Sequence, residues 1–176
     1  MNLLPQENSV ETGLPALDLT APFFADEEKR QAVGEKYVAF SLGKEIYAVA
    51  SKMVVEVTSW LAAAPLPNAP EWLHGIANLR GEIISVVSLP MLLGKRAAKP
   101  IAAPAPKSKF IVLRSKAFES GAAFAADRLN EIVTLPDEKI QLVSDENSPF
   151  IFGEAVHQSN NLKLIDMEKL LASLAV

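Results

Sequence analysis

The sequence predicts a mainly-β fold of small barrels, laid out as two similar lobes. Three features carry that expectation. Short apolar runs with a period of two recur along the 176 residues, Gly and Pro punctuate them, and one order of elements is met twice. That order is two strands, a turn of helix, further strands, then a helical turn ending in Leu-Leu. The second lobe is expected to begin near Lys109.

Residues 1–35 hold Pro, Asn, Glu, Asp and Thr with scattered apolar residues, and predict a solvated tail with a short helix possible at "DEEKRQAV". Its apolar pair Phe23-Phe24 is read as two sticky residues in a solvated tail rather than as a docking element. Ordered structure is expected over 36–176. In "KYVAFSLGKEIYAVA", Val38, Phe40 and Leu42 alternate with Tyr37, Ala39 and Ser41, as in a half-buried strand. Gly43-Lys44 supplies a tight turn and Ile46 to Val49 the returning strand. Ser51 is a plausible helix N-cap, but Val54, Val55 and Val57 pull "SKMVVEV" toward strand.

The prolines of "APLPNAP" make a connector. Trp72 to Leu79 then forms one extended piece, Arg80-Gly81 the turn, and Glu82 to Leu89 a strand. "PMLLG" has Pro at a helix start and Gly at its stop, hence one helical turn. Residues 95–108 are an Ala/Pro-rich loop. "KFIVLRS" and "SGAAFAAD" predict strands, and "RLNEIVTLP" either a short helix or a strand. "FIFGEAV" and "NLKLID" are the last strands. "MEKLLASLAV" places Met167, Leu170, Leu171 and Leu174 at helical spacing.

Bulk properties exclude several functions. The chain has no cysteine, so a disulfide scaffold, a thiolate metal site and a Cys nucleophile are ruled out. A net charge of −4 and aromatics at core-like positions argue against the alternative of a small-barrel nucleic-acid-binding protein. No basic leader precedes an apolar run, and no window nears the ~18 apolar residues of a membrane span, so a cytoplasmic protein is expected. No catalytic constellation is found. His74 and His157 lack a carboxylate at ligand spacing, and neither G-x-S-x-G nor a phosphate-binding glycine run occurs. Asp127 and Asp166 follow strand-like runs and are better explained as caps of the segments after them than as an acid pair. No enzyme, metal or cofactor is predicted.

The stretch "PEWLHGIANLRGEIISVVSLPMLLG" sets one arginine, Arg80, at a Gly-flanked apex of an apolar segment. A planar guanidinium there can grip a carboxylate bidentately, either on a partner or within the chain, Glu56 being the internal candidate.

Together, "YVAFSLGKEIYAV", "PLPNAPEWLHGIANLRGEIISVVSL" and "LKLIDMEKLL" resemble the CheW-like family of chemotaxis adaptor proteins, from about Tyr37 to Leu171. The block Asn78-Leu79-Arg80-Gly81 before an apolar strand is its most specific part. The resemblance implies two small five-stranded SH3-like β-barrel lobes sharing a hydrophobic core. It implies a non-catalytic scaffold between the cytoplasmic tips of chemoreceptors, in membrane-anchored arrays, and the regulatory domain of a CheA-type histidine kinase. Arg80, Glu56 and Val54 match partner-binding positions of the family, while Gly75, Asn78 and Gly81 hold the turn that presents Arg80. Ser85, Ser88 and Pro90 depart from the family's P-V-x-D-L-R pattern, which admits a divergent adaptor of a type IV pilus or other chemosensory system.

Overall fold

The computed structural model describes residues 33–59, 61–95, 108–115, 121–144, 146 and 148–174. The expected short helix at "DEEKRQAV" and most of the tail and the Ala/Pro-rich loop lie outside these residues. The elements in chain order are β1 (Glu35–Leu42), β2 (Glu45–Ala50), a 3-10 turn (Ser51–Met53), β3 (Val54–Thr58), β4 (Ala63–Ala64), β5 (Leu73–Leu79), β6 (Glu82–Val87) and α1 (Leu89–Leu92). There follow β7 (Lys109–Leu113), β8 (Ala122–Ala126), β9 (Arg128–Leu135), a second 3-10 turn (Asp137–Lys139), β10 (Gln141–Leu142), β11 (Ile151–His157), β12 (Asn160–Ile165) and α2 (Met167–Ala172).

Among the described residues these strands make two six-stranded sheets, ordered β10-β11-β12-β2-β1-β9 and β3-β7-β8-β6-β5-β4. Each has five longer strands and one two-residue strand at its edge, β10 or β4. The lobes do not divide at Lys109 as the sequence suggested. β7 pairs with β3 and β8, so it stays in the lobe already begun at β3. The N-terminal hairpin β1–β2 instead joins the C-terminal strands, β1 against β9 and β2 parallel to β12. Parallel partners are distant in sequence, and strand pattern alone does not name them.

The two sheets share one topology. Antiparallel hairpins β5–β6 and β11–β12, each with a bulge one residue before a glycine (Gly75, Gly153), feed parallel pairs β6–β8 and β12–β2. Both hairpins close through two residues at positive φ, Arg80-Gly81 and Gln158-Ser159, as a primed two-residue turn demands. One lobe is a continuous stretch, β3 to β8. The other is assembled from both ends of the chain.

Alternation along β1 sorts side chains between two interiors rather than between core and water. Val38 and Phe40 enter a core shared by both sheets, with Ile111, Leu113 and Phe124 from the other lobe. Tyr37 and Ala39, expected to be the outer face, are buried in their own lobe with Ala48, Val133 and Leu164. The second lobe has a matching interior of Ala77, Ile84, Val86, Phe110 and Val112. At the centre the rings of Phe40 and Phe124 lie 5.0 Å apart, tilted by 50°, a favoured aromatic arrangement.

"RLNEIVTLP" is a strand, and Ser51 caps nothing: Ala50 precedes the 3-10 turn, with no side-chain cap bond. The β-branched run after Met53 takes the chain into β3 within three residues. Asp166 does cap α2, accepting from the Lys169 N–H at 2.9 Å. Asp127 caps no helix. Its carboxylate accepts from Gly43 N–H at 2.6 Å, fastening the β1–β2 turn to the start of β9.

Gly75 has φ +147°, and a Cβ there would lie 2.2 Å from the backbone oxygen of Ala64. At Gly153 the nearest atom would be an Ile140 methyl at 2.8 Å, which can move. In urea unfolding, Gly75→Ala is therefore expected to cost about 2–4 kcal/mol and Gly153→Ala clearly less. Equal losses would mean the β4 strand yields freely.

Burial, then the charge of Glu35 and the bond its hydroxyl donates to that carboxylate, push the Tyr37 phenol up to about 12. The folded state thus favours the neutral phenol. Its contribution is complete below the ordinary value near 10 and is lost as pH rises through about 12. Stability should fall across that window, and Tyr37→Phe should flatten the fall. An unchanged alkaline slope in the variant would assign it to other groups.

Candidate partner-binding site

The β5–β6 hairpin is built to hold Arg80 out. Leu79 and Glu82 pair across its end, leaving Arg80-Gly81 as a two-residue turn. Arg80 adopts φ +53°, a left-handed conformation that costs a non-glycine residue about 1–2 kcal/mol. Asn78 offsets part of this, its side-chain oxygen accepting from the Gly81 N–H at 3.0 Å. Gly81 follows at φ +91°.

From that turn the guanidinium reaches β3. Its Nε and Nη2 each lie 3.1 Å from a Glu56 carboxylate oxygen, a bidentate pair. The arginine side chain remains 78% exposed and the glutamate 24%, so solvent screens the pair and holding the fold is a small part of what it does. Close to the pair in sequence, large apolar side chains are left in water: Val55, next to Glu56, and Ile83, three residues past Arg80. Val54, by contrast, is half-buried and packs on the shared core. A second pair joins Glu82, at the start of β6, to Arg114 just past β7.

The other lobe carries a counterpart that the sequence reading missed. Glu131 occupies the place of Glu56, one residue past a bulge in the strand that edges its sheet. His157, at the end of β11, brings Nε2 to 3.6 Å from Glu131. Gln158 stands where Arg80 stands. Exposed Ile132 and Val156 neighbour these two residues in the chain. The signal available was the repeated strand pattern Leu73-His74-Gly75-Ile76-Ala77 against Ile151-Phe152-Gly153-Glu154-Ala155, with Gly and Ala in step.

A groove of about 760 Å³ opens where three distant segments meet, lined by Lys52, Met53, Val55, Arg114, Ser115 and Glu168. Lys52 also pairs with Glu35 at 2.5 Å, and Arg114 N–H donates to the Met53 carbonyl.

The other titratable residues singled out in the sequence sit within the fold. His74 lies on β5, held below the ordinary imidazole value by burial. Asp127 and Asp166 both accept from backbone N–H groups. Among the described residues no group of three His, Cys, Asp or Glu side chains could hold a metal ion, and no helix is long and apolar enough to cross a membrane.

The sequence and the two-lobed fold match a known family. Residues 36–175 fit the family model of the CheW-like domain, and the chain belongs to that family. Among its relatives is the chemotaxis protein CheW of Rhizobium meliloti, 25% identical over 80% of this chain and 89% of that protein. The chemotaxis protein CheW of Thermotoga maritima is 29% identical over 71% of this chain and 78% of its own. The crystal structure of the scaffolding protein TtCheW from Thermoanaerobacter tengcongensis superposes with a TM-score of 0.67 and 26% identity, covering 78% of this chain and 92% of that one.

Ser88 precedes α1 without a side-chain cap bond, whereas Asp166 caps α2 at the same point of the other lobe.

Replacing Arg80 with glycine removes the ion pair but relieves the left-handed strain. The two nearly cancel, and urea unfolding of Arg80→Gly should stay within about 1 kcal/mol of wild type. A loss above about 2 kcal/mol would make Arg80 a fold-holding residue.

Proposed function

We propose that this chain is a non-catalytic adaptor of a chemosensory pathway, coupling chemoreceptors to a CheA-type histidine kinase. Family membership supports the adaptor role, and the naming of its relatives as chemotaxis proteins supports the pathway. The single observation that carries the site is the Arg80–Glu56 pair: a guanidinium held bidentately, in a strained turn, at the surface. Such a pair is pre-oriented, so a partner meets a fixed pattern of charge rather than a mobile side chain.

On this reading Arg80, Glu56 and Val54 belong to the face that takes the kinase regulatory domain. Arg80 and Glu56 supply the contact, while Val54 sets the strand that carries Glu56. Gly75, Asn78 and Gly81 hold the hairpin. The groove between the 3-10 turn, the end of β7 and the start of α2 takes the receptor's helical tip, a helix-in-groove mode. An adaptor in a type IV pilus or other chemosensory system fits the same two surfaces, and the kinase it binds distinguishes them.

Titration against the regulatory domain of the organism's CheA-type kinase tests the assignment. Wild type should bind at micromolar level, and Arg80→Glu at least tenfold more weakly with its fold retained, a difference of about 1.4 kcal/mol. Undiminished binding by the folded variant would remove Arg80 from the interface.

A further inference from the structure

The end of the β5–β6 hairpin, residues 78–83, runs on past the strands beside it. Among the described residues β4 pairs with β5 at Ala77 and Ile76, and β8 with β6 at Ser85, Val86 and Val87. What projects is a two-stranded ribbon, an element of little stability on its own, with Arg80 at its apex. Leu79 and Ile84 hold its root in the lobe's interior. Two ion pairs tie down its end, and both reach the same edge of the sheet: Arg80 to Glu56 on β3, and Glu82 to Arg114 just past β7. The two anchors are neighbours. Glu56 stands opposite Val112 on β7, and Arg114 follows two residues later, donating its N–H to the Met53 carbonyl. Laid flat, the sheet would put β6 three strand spacings from β3, about 14 Å. Its curl brings them within side-chain reach, and acid and base alternate around the closure: Glu56, Arg80, Glu82, Arg114.

One ion pair fixes the distance from tip to anchor but lets the ribbon swing about it. A second, two residues along, removes that freedom. Both side chains of the Glu82–Arg114 pair are well exposed, so it adds little to global stability. What it can supply is direction. We propose that Glu82 and Arg114 are positioning residues for Arg80: their ion pair stops the ribbon pivoting about Arg80 and Glu56, and sets the guanidinium in the orientation a partner meets. The inference rests on the reading of Arg80 as the kinase contact. Neither Glu82 nor Arg114 touches the partner on this account. Their effect on affinity comes through Arg80, whose ordering is then complete before binding rather than a cost of it.

The test compares the full chain as wild type, Arg114→Met, Arg80→Gly, those two combined, and an exchanged pair, Glu82→Arg with Arg114→Glu. Nitrogen-15 relaxation of the Arg80 Nε–H group reads the order of the guanidinium with no partner present. Titration against the kinase regulatory domain reads its use, and thermal unfolding checks each fold. In Arg114→Met the Arg80 order parameter should fall below about 0.6, and kinase binding should weaken about three- to fivefold at an unchanged unfolding temperature. With Arg80 already glycine, Arg114→Met should change binding by less than about twofold, because its effect runs through Arg80. The exchanged pair should return the Arg80 signal to its wild-type order. An equal loss in the Arg80→Gly background would make Arg114 a direct contact and overturn the positioning role. So would unchanged kinase binding or an unchanged Arg80 signal in Arg114→Met, or an exchanged pair that leaves Arg80 mobile. A marked drop in the unfolding temperature of Arg114→Met would overturn it too, since the pair would then hold the fold. If wild type does not bind the kinase domain, the reading of Arg80 as its contact falls, while the Arg80 signal still decides whether Glu82 and Arg114 fix the tip.

Discussion

Everything in this structure depends on a core that two sheets hold in common. Phe40 and Tyr47 from one lobe and Ile111, Leu113 and Phe124 from the other are sealed from solvent in a single cluster. At roughly 25 cal/mol per Å² of apolar area, each large side chain so buried contributes about 1.5–3 kcal/mol, more than any surface ion pair described. α2 is pinned to the same cluster by Met167, Leu170 and Leu171. The groove beside Ser115 exists only where lobes, turn and helix meet around that core. Neither lobe can be moved against the other without opening it, so the surfaces on the two lobes keep a fixed spacing.

The lobes are alike in topology and unlike at their surfaces. Each sets a glutamate one residue past a bulge and faces it with the end of a two-residue hairpin. One lobe answers the glutamate with a guanidinium whose two nitrogens engage both carboxylate oxygens. The other answers it with an imidazole at a longer distance. Backbone geometry is repeated because the packing requires it, whereas side chains at the hairpin tips are free to differ because they pack on little. Discrimination between partners is open to variation there without cost to the core.

Much of this was legible in the sequence. Period-two runs with Gly and Pro boundaries located the strands, Gly43-Lys44 and Arg80-Gly81 the tight turns, and the Met167, Leu170, Leu171 spacing the last helix. The Arg80–Glu56 pair was among the alternatives because the residue types fit a bidentate grip. What escaped was long-range. Alternation in Tyr37 to Leu42 looks the same whether the second face meets water or a second interior, and only the apolar character of Tyr37 and Ala39 hinted at the latter. The partnership of β2 with β12 joins residues more than a hundred apart, and no local propensity encodes it. Glu131 and His157 were hidden for a related reason: the β5 and β11 patterns run in step, but the pairing of each hairpin tip with a glutamate on the edge strand is long-range.

The lobe made from both chain ends has a consequence for synthesis. As the polypeptide leaves the ribosome, β1 and β2 emerge first, yet their sheet partners β9 and β12 come last. The β3–β8 lobe is contiguous and has all its strands in hand by Ala126, so it can close while the rest is still being made. The early hairpin meanwhile presents two unsatisfied strand edges and the apolar faces of Val38 and Phe40, a state prone to pairing with another chain. Completion waits for the terminal third of the protein, and the newborn molecule is most vulnerable to proteases and to its own copies in that interval.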